Sequence, residues 1–354
     1  MSNQNDVNEK QETKKESFLK RKNIEISVQR YLVDTLSFMA LGLFGTLIIG
    51  SILNVIGGKL GIAFLTDTVW PIARSMTGPG IAVAVAYGLK APPLVMFSST
   101  ITGAAGAALG GPVGALLAGL FGAEFGKMVS KETKVDIIVT PAVTILVGTL
   151  VGTLAGPGIN AFMQGFGNLI NAATVLRPVP MGIIVSVLMG IALTLPISSA
   201  AIGIMLGLGG LAAGASAAGC SAQMIVFAVI SYEVNGFGGL LSQGLGTSML
   251  QVPNIVKNWK IWLPAIIASA ITGPISTAVL GMENTAIGSG MGTSGLVGQF
   301  GAIDAMEAVG KGGGSMYFSI ILVHFILPIV IGLVVYNVMK KMNLIKPEDL
   351  KLDV

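Results

Sequence analysis

Charged residues are scarce in this sequence, and so are cysteine and histidine. The chain of 354 residues holds 21 Lys and Arg and 17 Asp and Glu, or 11% charged residues, and its mean hydropathy is +0.80. Soluble domains carry about 25% charged residues, so this composition cannot cover a soluble surface. One cysteine excludes an intrachain disulfide, and one histidine excludes a multi-histidine metal centre. We therefore expect a membrane protein with the lipid bilayer as a partner, no metal, no cofactor and no nucleic acid.

The few charges are concentrated at the two ends of the chain. Residues 1–30 hold seven basic and five acidic residues, and 340–354 hold four lysines and three acids. This pattern predicts a cytoplasmic N-terminal tail (1–30), a transmembrane domain (31–340) and a cytoplasmic C-terminal tail (341–354). Further lysines at 127–134 and 257–260 predict cytoplasmic loops, so both termini are expected inside.

Long apolar runs predict an all-α polytopic membrane protein. A helix needs about 20 residues to cross the hydrocarbon layer. By that measure the sequence predicts about ten spans, an even number that agrees with two cytoplasmic termini. The expected spans are 34–57, 62–89, 92–110, 112–128, 136–157, 179–196, 198–214, 216–232, 261–281 and 315–339.

Glycine and proline interrupt several of these runs. The chain contains 49 Gly and 15 Pro, and Gly-Pro pairs occur at 78–79, 111–112, 156–157 and 273–274. Glycine permits sharp turns and proline removes a backbone donor. Within a membrane such breaks are tolerated where they are buried or line a cavity, and transporters use the freed backbone groups to bind solutes.

Two polar stretches, 231–254 and 281–299, are too polar for lipid-facing helices and too poor in charge for solvated loops. We interpret both as re-entrant or unwound Gly-rich segments along a solute path. The alternative is a pair of water-exposed loops.

The polar residues of these stretches are the candidate solute ligands. Glu283 beside Asn284 can hydrogen-bond hydroxyl groups, although it could also be a proton site or an interfacial carboxylate. Glu233 with Asn235 repeats the arrangement in the other stretch. The remaining candidates are neutral side chains in apolar surroundings, which require partners: Gln243, Gln251, Asn254, Thr293, Ser294 and Gln299. No catalytic constellation is present, so an enzyme is the least favoured reading.

Three motifs carry a resemblance to a known family. Pro196–Ala200, Gln243–Ile255 and Gly290–Gln299 resemble bacterial phosphotransferase-system (PTS) IIC subunits of the PfoR-like group, and the resemblance covers roughly residues 25–340. It implies an EIIC-like transporter fold with ten spans, re-entrant hairpins and a homodimer. It also implies that Glu283, by position, is similar to the hairpin glutamate that binds the sugar.

Together these features predict a permease of the bacterial plasma membrane. It would move a small polar solute, such as a sugar or a related hydroxylated compound, by alternating access. Phosphoryl transfer would need a separate PTS IIB protein, because we recognise no IIA or IIB domain in this sequence. The alternatives are a facilitator or ion-coupled transporter that works without phosphorylation, and a membrane sensor or regulator related to PfoR.

Overall fold

A computed structural model describes residues 18–174 and 176–352, so residues 1–17 of the predicted N-terminal tail lie outside the described residues. The described chain is 84% helix and contains no strand. In chain order the helices are α1 (Gln29–Leu60), α2 (64–75), α3 (Thr77–Gly88), α4 (Pro93–Val129), α5 (Asp136–Thr174), α6 (Pro178–Thr194), α7 (Ser199–Met205), α8 (Gly210–Ile230), α9 (Tyr232–Leu241), α10 (Val252–Lys257), α11 (Trp259–Val279), α12 (Ala286–Ser289), α13 (Val297–Ala308) and α14 (Gly314–Lys341).

The all-helical membrane architecture is confirmed. Six of the described helices are long and apolar enough to cross a membrane, namely α1, α4, α5, α8, α11 and α14. The predicted total of ten spans remains a prediction. The clearest difference concerns residues 198–214, where the expected span is replaced by the seven-residue α7 and a turn. Gly207 and Gly210 both adopt positive φ there, a conformation that glycine reaches without steric cost.

Helix α4 is a hairpin, not a single rod. Its backbone leaves the helical conformation at Gly111 (φ 58°, ψ −149°), directly before Pro112. Beyond this break the chain returns along itself, because a Cβ placed on Gly106 would collide with the carbonyl of Gly114. Residues eight apart in a straight helix would be about 12 Å apart. We call residues 93–129 hairpin A; its two limbs match the predicted segments 92–110 and 112–128.

Two further hairpins follow later in the chain. In hairpin B (232–257), the chain runs through α9, which is broken at Gly236 (φ 58°, ψ −159°), turns at 242–251 and returns through α10. Asn235 and Gln251 both donate to the carbonyl of Leu350. In hairpin C (282–308), α12 and α13 lie side by side, because Asn284 donates to the carbonyl of Gly298 across the two limbs. Both hairpins coincide with the polar stretches singled out in the sequence.

The helix ends define two faces of the molecule. Arg30 donates to the carbonyl of Leu89, and Lys22 donates to that of Ser130, so these helix ends share one face with the C-terminal segment. We call it the terminal face. On the opposite face Lys59 lies 3.8 Å from Asp304. Hairpins A and B start from the terminal face, whereas hairpin C starts from the opposite face.

The helices form two bundles with separate cores. One core joins α1, α3 and hairpin A, and includes Met39, Ile81 and Val95. The other bundle is built around α8, which is almost entirely buried and packs against α6, α11 and α14. Small residues permit the close approach: a Cβ on Gly219 would collide with the backbone of Ser186. The 39-residue α5 contacts both bundles, since it runs along hairpin A and ends beside α6.

The N-terminal segment is fastened to the terminal face by charges. Lys127 is buried and lies 3.0 Å from Glu124, and it also donates to the carbonyls of Asn23 and Leu89. Outside the helices, Glu132 pairs with Lys22 and Arg21. The hydrogen bond from Lys22 holds the pKa of the exposed Glu132 carboxyl below its usual value.

The predicted C-terminal tail is also packed against the protein. Ile345 and Leu350 are buried in the core that includes Phe227 and Ile261, and Leu352 packs on the α1 core. The charge count of residues 340–354 gave no sign of this, because the packing depends on the apolar side chains of Ile345, Leu350 and Leu352.

Candidate functional site

A cavity lies where the two bundles and the tips of the three hairpins converge. Its volume is about 90 Å³, room for a few water molecules at about 30 Å³ each. Ligand sites usually measure about 300–1,000 Å³, so the cavity is smaller than an ordinary ligand site in this conformation. The lining comes from six parts of the chain: Leu43, Leu47, Ile48 and Ser51 of α1; Pro112 of hairpin A; Leu193 of α6; Ile197–Ala200; Gly246, Thr247 and Met249 of hairpin B; and Met291 and Ser294 of hairpin C.

The polar groups of the cavity are hydroxyls. Ser294 is buried, and its hydroxyl makes no hydrogen bond within the described part of the chain. Thr247 accepts from the backbone N–H of Met249, which leaves its own hydroxyl proton free to donate. Ser51 donates to the carbonyl of Ile48, which leaves its oxygen free to accept. No ionisable side chain occurs among the described residues of the lining. Such a lining suits a neutral hydroxylated molecule, because each free hydroxyl can donate or accept.

The tips of hairpins B and C touch each other at this cavity. The hydroxyl of Thr293 donates to the carbonyl of Gly244, and it lies 3.4 Å from the sulfur of Met224 on α8. The hydroxyls of Ser248 and Thr194 are 2.8 Å apart, which attaches the tip of hairpin B to α6. The two hairpins start from opposite faces, so their tips meet beside the cavity.

A second cavity adjoins the first one. It measures about 280 Å³ and shares Pro112 and Ser198 with it. The turn of hairpin A forms one wall, and Asn160 and Met163 of α5 contribute another. The two cavities are therefore neighbouring spaces between the bundles, with Pro112 and Ser198 between them.

In hairpin C, the structure places the predicted residues at three different levels. Thr293 and Ser294 are at the tip, beside the cavity. Asn284 is buried near the base, where it donates to Gly298 O at 2.8 Å and accepts from the N–H of Thr285. Glu283 lies at the opposite face, 2.7 Å from the ammonium of Lys311, and is absent from the cavity lining.

In hairpin B, the predicted amides form one connected network. Gln243 accepts from Gln251, and Gln251 accepts from Asn254, each at 2.9 Å. Asn235, Gln251 and Asn254 all donate to backbone carbonyls of the C-terminal segment. Glu233 is separate from them, since it pairs with Lys340 at the surface and its side chain is 63% exposed.

Gln299 belongs to a buried pair behind the tip of hairpin C. Its amide nitrogen lies 3.0 Å from Nδ1 of His324 on α14. Its amide oxygen and Nε2 of His324 are both buried without a hydrogen-bond partner in the described chain. Gln299 therefore ties hairpin C to α14 and does not reach the cavity.

Residue-type reasoning missed several cavity residues. Ser198, Ser199 and Thr247 were not singled out, because single hydroxyl residues are common in apolar helices and are usually satisfied by their own backbone. A signal for them did exist: they lie within the motifs Pro196–Ala200 and Gln243–Ile255. Ser51 and Asn160 carried no such signal, since only the packing of α1 and α5 brings them to the cavities.

The comparisons with known proteins agree with this architecture. The family model described as "Phosphotransferase system, EIIC" matches residues 33–352, which is nearly the whole described chain. No curated protein and no solved structure matched the chain. The more specific PfoR-like grouping remains a prediction. The match spans both bundles and all three hairpins, and EIIC components act as multi-pass membrane permeases of the phosphotransferase system together with IIB partners. On this match and on the all-helical membrane architecture, the chain belongs to the phosphotransferase system EIIC family.

Proposed function

We propose that the protein moves a small, neutral, hydroxylated solute, such as a sugar or a polyol, through the cavity between its two bundles. The observation that carries this proposal is the uncharged cavity at the meeting point of hairpins B and C, with the free hydroxyl of Ser294 in its wall. A charged solute would have to give up its hydration there without an opposite charge to compensate.

Alternating access accounts for the small size of the cavity in this conformation. At about 90 Å³ it lies below the size of an ordinary ligand site, so the bundles must separate for a solute to enter. Hairpin B would open towards the terminal face and hairpin C towards the opposite face, because each starts from that face. In a membrane both would be re-entrant, and the terminal face would be cytoplasmic, as the lysine distribution predicts.

Among the predicted ligands, Ser294 is our first choice, with Thr293 positioning the tip that carries it. Thr247 joins them on the other side of the cavity. Gln243 supports the tip of hairpin B from behind. The alternative centres on Glu283 and Asn284 at the base of hairpin C, which would then bind the solute at the opposite face before it reaches the cavity.

The experiment is solute binding and uptake with purified protein in proteoliposomes, using a panel of neutral sugars, polyols and charged analogues. Ser294→Ala should weaken binding of the transported solute by about 3–10-fold, the loss of one neutral hydrogen bond of about 1 kcal/mol. Thr247→Val should act in the same direction.

Ser319→Ala is the matched control, because Ser319 is equally buried but donates only to the carbonyl of Ser315 in its own helix. Unchanged affinity in both cavity variants would remove the cavity from the binding site. Loss of binding in Glu283→Gln alone would move the site to the base of hairpin C. Uptake of charged solutes only would contradict the proposed solute class.

A further inference from the structure

The C-terminal segment is held by its backbone, in the manner of a bound peptide. The carbonyl of Leu350 accepts from Asn235 at 2.8 Å and from Gln251 at 2.9 Å, and that of Lys351 accepts from Asn254 at 2.9 Å. The Asn235 amide oxygen accepts in turn from the N–H of Leu352. All three amides belong to hairpin B, so this hairpin presents a row of donors and acceptors to residues 350–352.

The side chains of the segment fasten it to both bundles. Leu350 is fully buried in the core around α8, and Ile345 is buried beside it. Leu352 packs instead against the α1 core of the other bundle. Asn258, at the end of hairpin B, donates to the carboxylate of Asp349. The segment therefore bridges the two bundles across the terminal face.

The contact continues through hairpin B towards the cavity. Gln251, which binds Leu350, also donates to the amide oxygen of Gln243. Gln243 donates to the carbonyl of Gly239 and to the hydroxyl of Ser231 at the end of α8. Gly246 and Thr247, three and four positions beyond Gln243, both lie in the cavity wall. Hairpin B cannot leave this position while its amides remain paired with the segment, since buried unpaired amides are costly.

We infer that residues 344–352 form an intramolecular gate: the docked segment holds hairpin B closed over the cavity, and its release opens the cavity towards the terminal face. The inference rests on the proposed function in one respect only, because the cavity is taken to be the solute site. The same contacts assign a second role to Asn235, Gln251 and Asn254, which bind the chain's own backbone in this conformation.

The test measures access to the cavity directly, without any solute. Cys220 is buried and is replaced by alanine, and Met249→Cys then places one thiol in the cavity wall on hairpin B. The rate of its reaction with a small water-soluble methanethiosulfonate reports opening. The assay uses the full-length protein with Leu350→Ser, which removes the buried anchor of the segment. We expect this variant to accelerate modification about 30-fold, the shift that corresponds to roughly 2 kcal/mol of lost core packing.

Lys351→Ser is the matched control, because its side chain is exposed while its backbone makes the same hydrogen bond. We expect its modification rate to equal that of the parent protein. Equal rates for Leu350→Ser and Lys351→Ser would overturn the inference.

Asn235→Ala provides a second variant in case Leu350→Ser fails to fold as judged by size-exclusion chromatography. It removes two bonds to the segment from a partly exposed position and should accelerate modification about 10-fold. An unchanged rate in this variant would also overturn the gate. Uptake measured in parallel separates the two proposals: faster modification in protein that moves no solute rejects the transport function alone, and normal uptake with unchanged modification rejects the gate alone.

Discussion

Hairpins B and C meet at their tips but differ in how their bases are held. The base of hairpin B is joined to the C-terminal segment by neutral amides, of which Gln251 is fully buried. The base of hairpin C is closed by the ion pair of Glu283 and Lys311, whose side chains are 20% and 44% exposed. An exposed ion pair contributes about 0–1 kcal/mol, whereas leaving a buried amide or carbonyl unpaired costs about 1–3 kcal/mol.

This difference indicates which hairpin moves more easily. In hairpin C, Asn284 joins the two limbs and Met282 packs in the core beside α8, but the polar contact at the base is the weaker one. The chain beyond it contains Gly310 and Gly313 at positive φ, where glycine allows the backbone to turn. Hairpin B also has a glycine at positive φ, Gly236, but the amides on both sides of this hairpin are paired with the docked C-terminal segment. We therefore expect the cavity to open more readily towards the opposite face than towards the terminal face.

The largest effect should come from the tip of hairpin C. Gly292 has φ +52°, and a Cβ there would lie 2.7 Å from the backbone carbon of Cys220 on α8. Gly292→Ala combines left-handed strain with overpacking, a loss of about 2–5 kcal/mol. We expect a large drop in the apparent melting temperature of the purified protein.

Gly61→Ala is the control for this change, because Gly61 also has positive φ (+69°) but open space around it. It should cost only the strain, about 1–2 kcal/mol. Equal losses in the two variants would show that the tip of hairpin C does not press against α8.

An intermediate effect is expected at the base of hairpin B. Gln251→Leu leaves the amide oxygen of Gln243 and the amide nitrogen of Asn254 without their present partner. The expected loss is about 1–3 kcal/mol, measured as a lower melting temperature. Gln164→Leu, at an exposed position of α5, makes the same replacement without burial and should change stability little. If the two variants melt alike, the amide network does not stabilise the closed hairpin.

The smallest effect is expected at the base of hairpin C. Glu283→Gln removes the exposed ion pair with Lys311 and should cost at most about 1 kcal/mol. Salt should shrink the difference from the parent protein, because it screens exposed charges. Glu307→Gln, at an exposed position of the same hairpin, controls for the loss of one charge. A loss larger than that of Gln251→Leu would reverse the comparison between the two hairpins.

Sequence reasoning located the two polar hairpins but not their partners. The polar stretches 231–254 and 281–299 were recognised because they combine amides, hydroxyls and glycine with almost no charge, and both became hairpins. Of the Gly-Pro pairs singled out in the sequence, 111–112 marks the reversal of α4, whereas 156–157 and 273–274 lie within the continuous helices α5 and α11. By contrast, the span at 198–214 was misplaced, because Leu206–Gly210 is apolar enough for a helix and its turn depends on backbone conformation alone.

The candidate ligands show most clearly what the local sequence does not reveal. Gln251, Asn254 and Ser294 are all neutral polar residues in apolar surroundings, and nothing in their local sequence distinguishes them. In the structure Ser294 faces a cavity, whereas the two amides hold the C-terminal backbone. The role of the two amides depends on residues 350–352, which lie about a hundred positions beyond Gln251 and Asn254.

Hydropathy and charge are properties of single segments, so the amino-acid sequence was enough to place this chain in a lipid bilayer and to locate the reversal at Gly111–Pro112. Which hairpins meet, which hydroxyls remain free and where the C-terminal tail packs became visible in the folded chain alone. These outcomes arise from contacts between distant parts of the chain, where each polar group pairs with whichever buried partner the packing brings within reach.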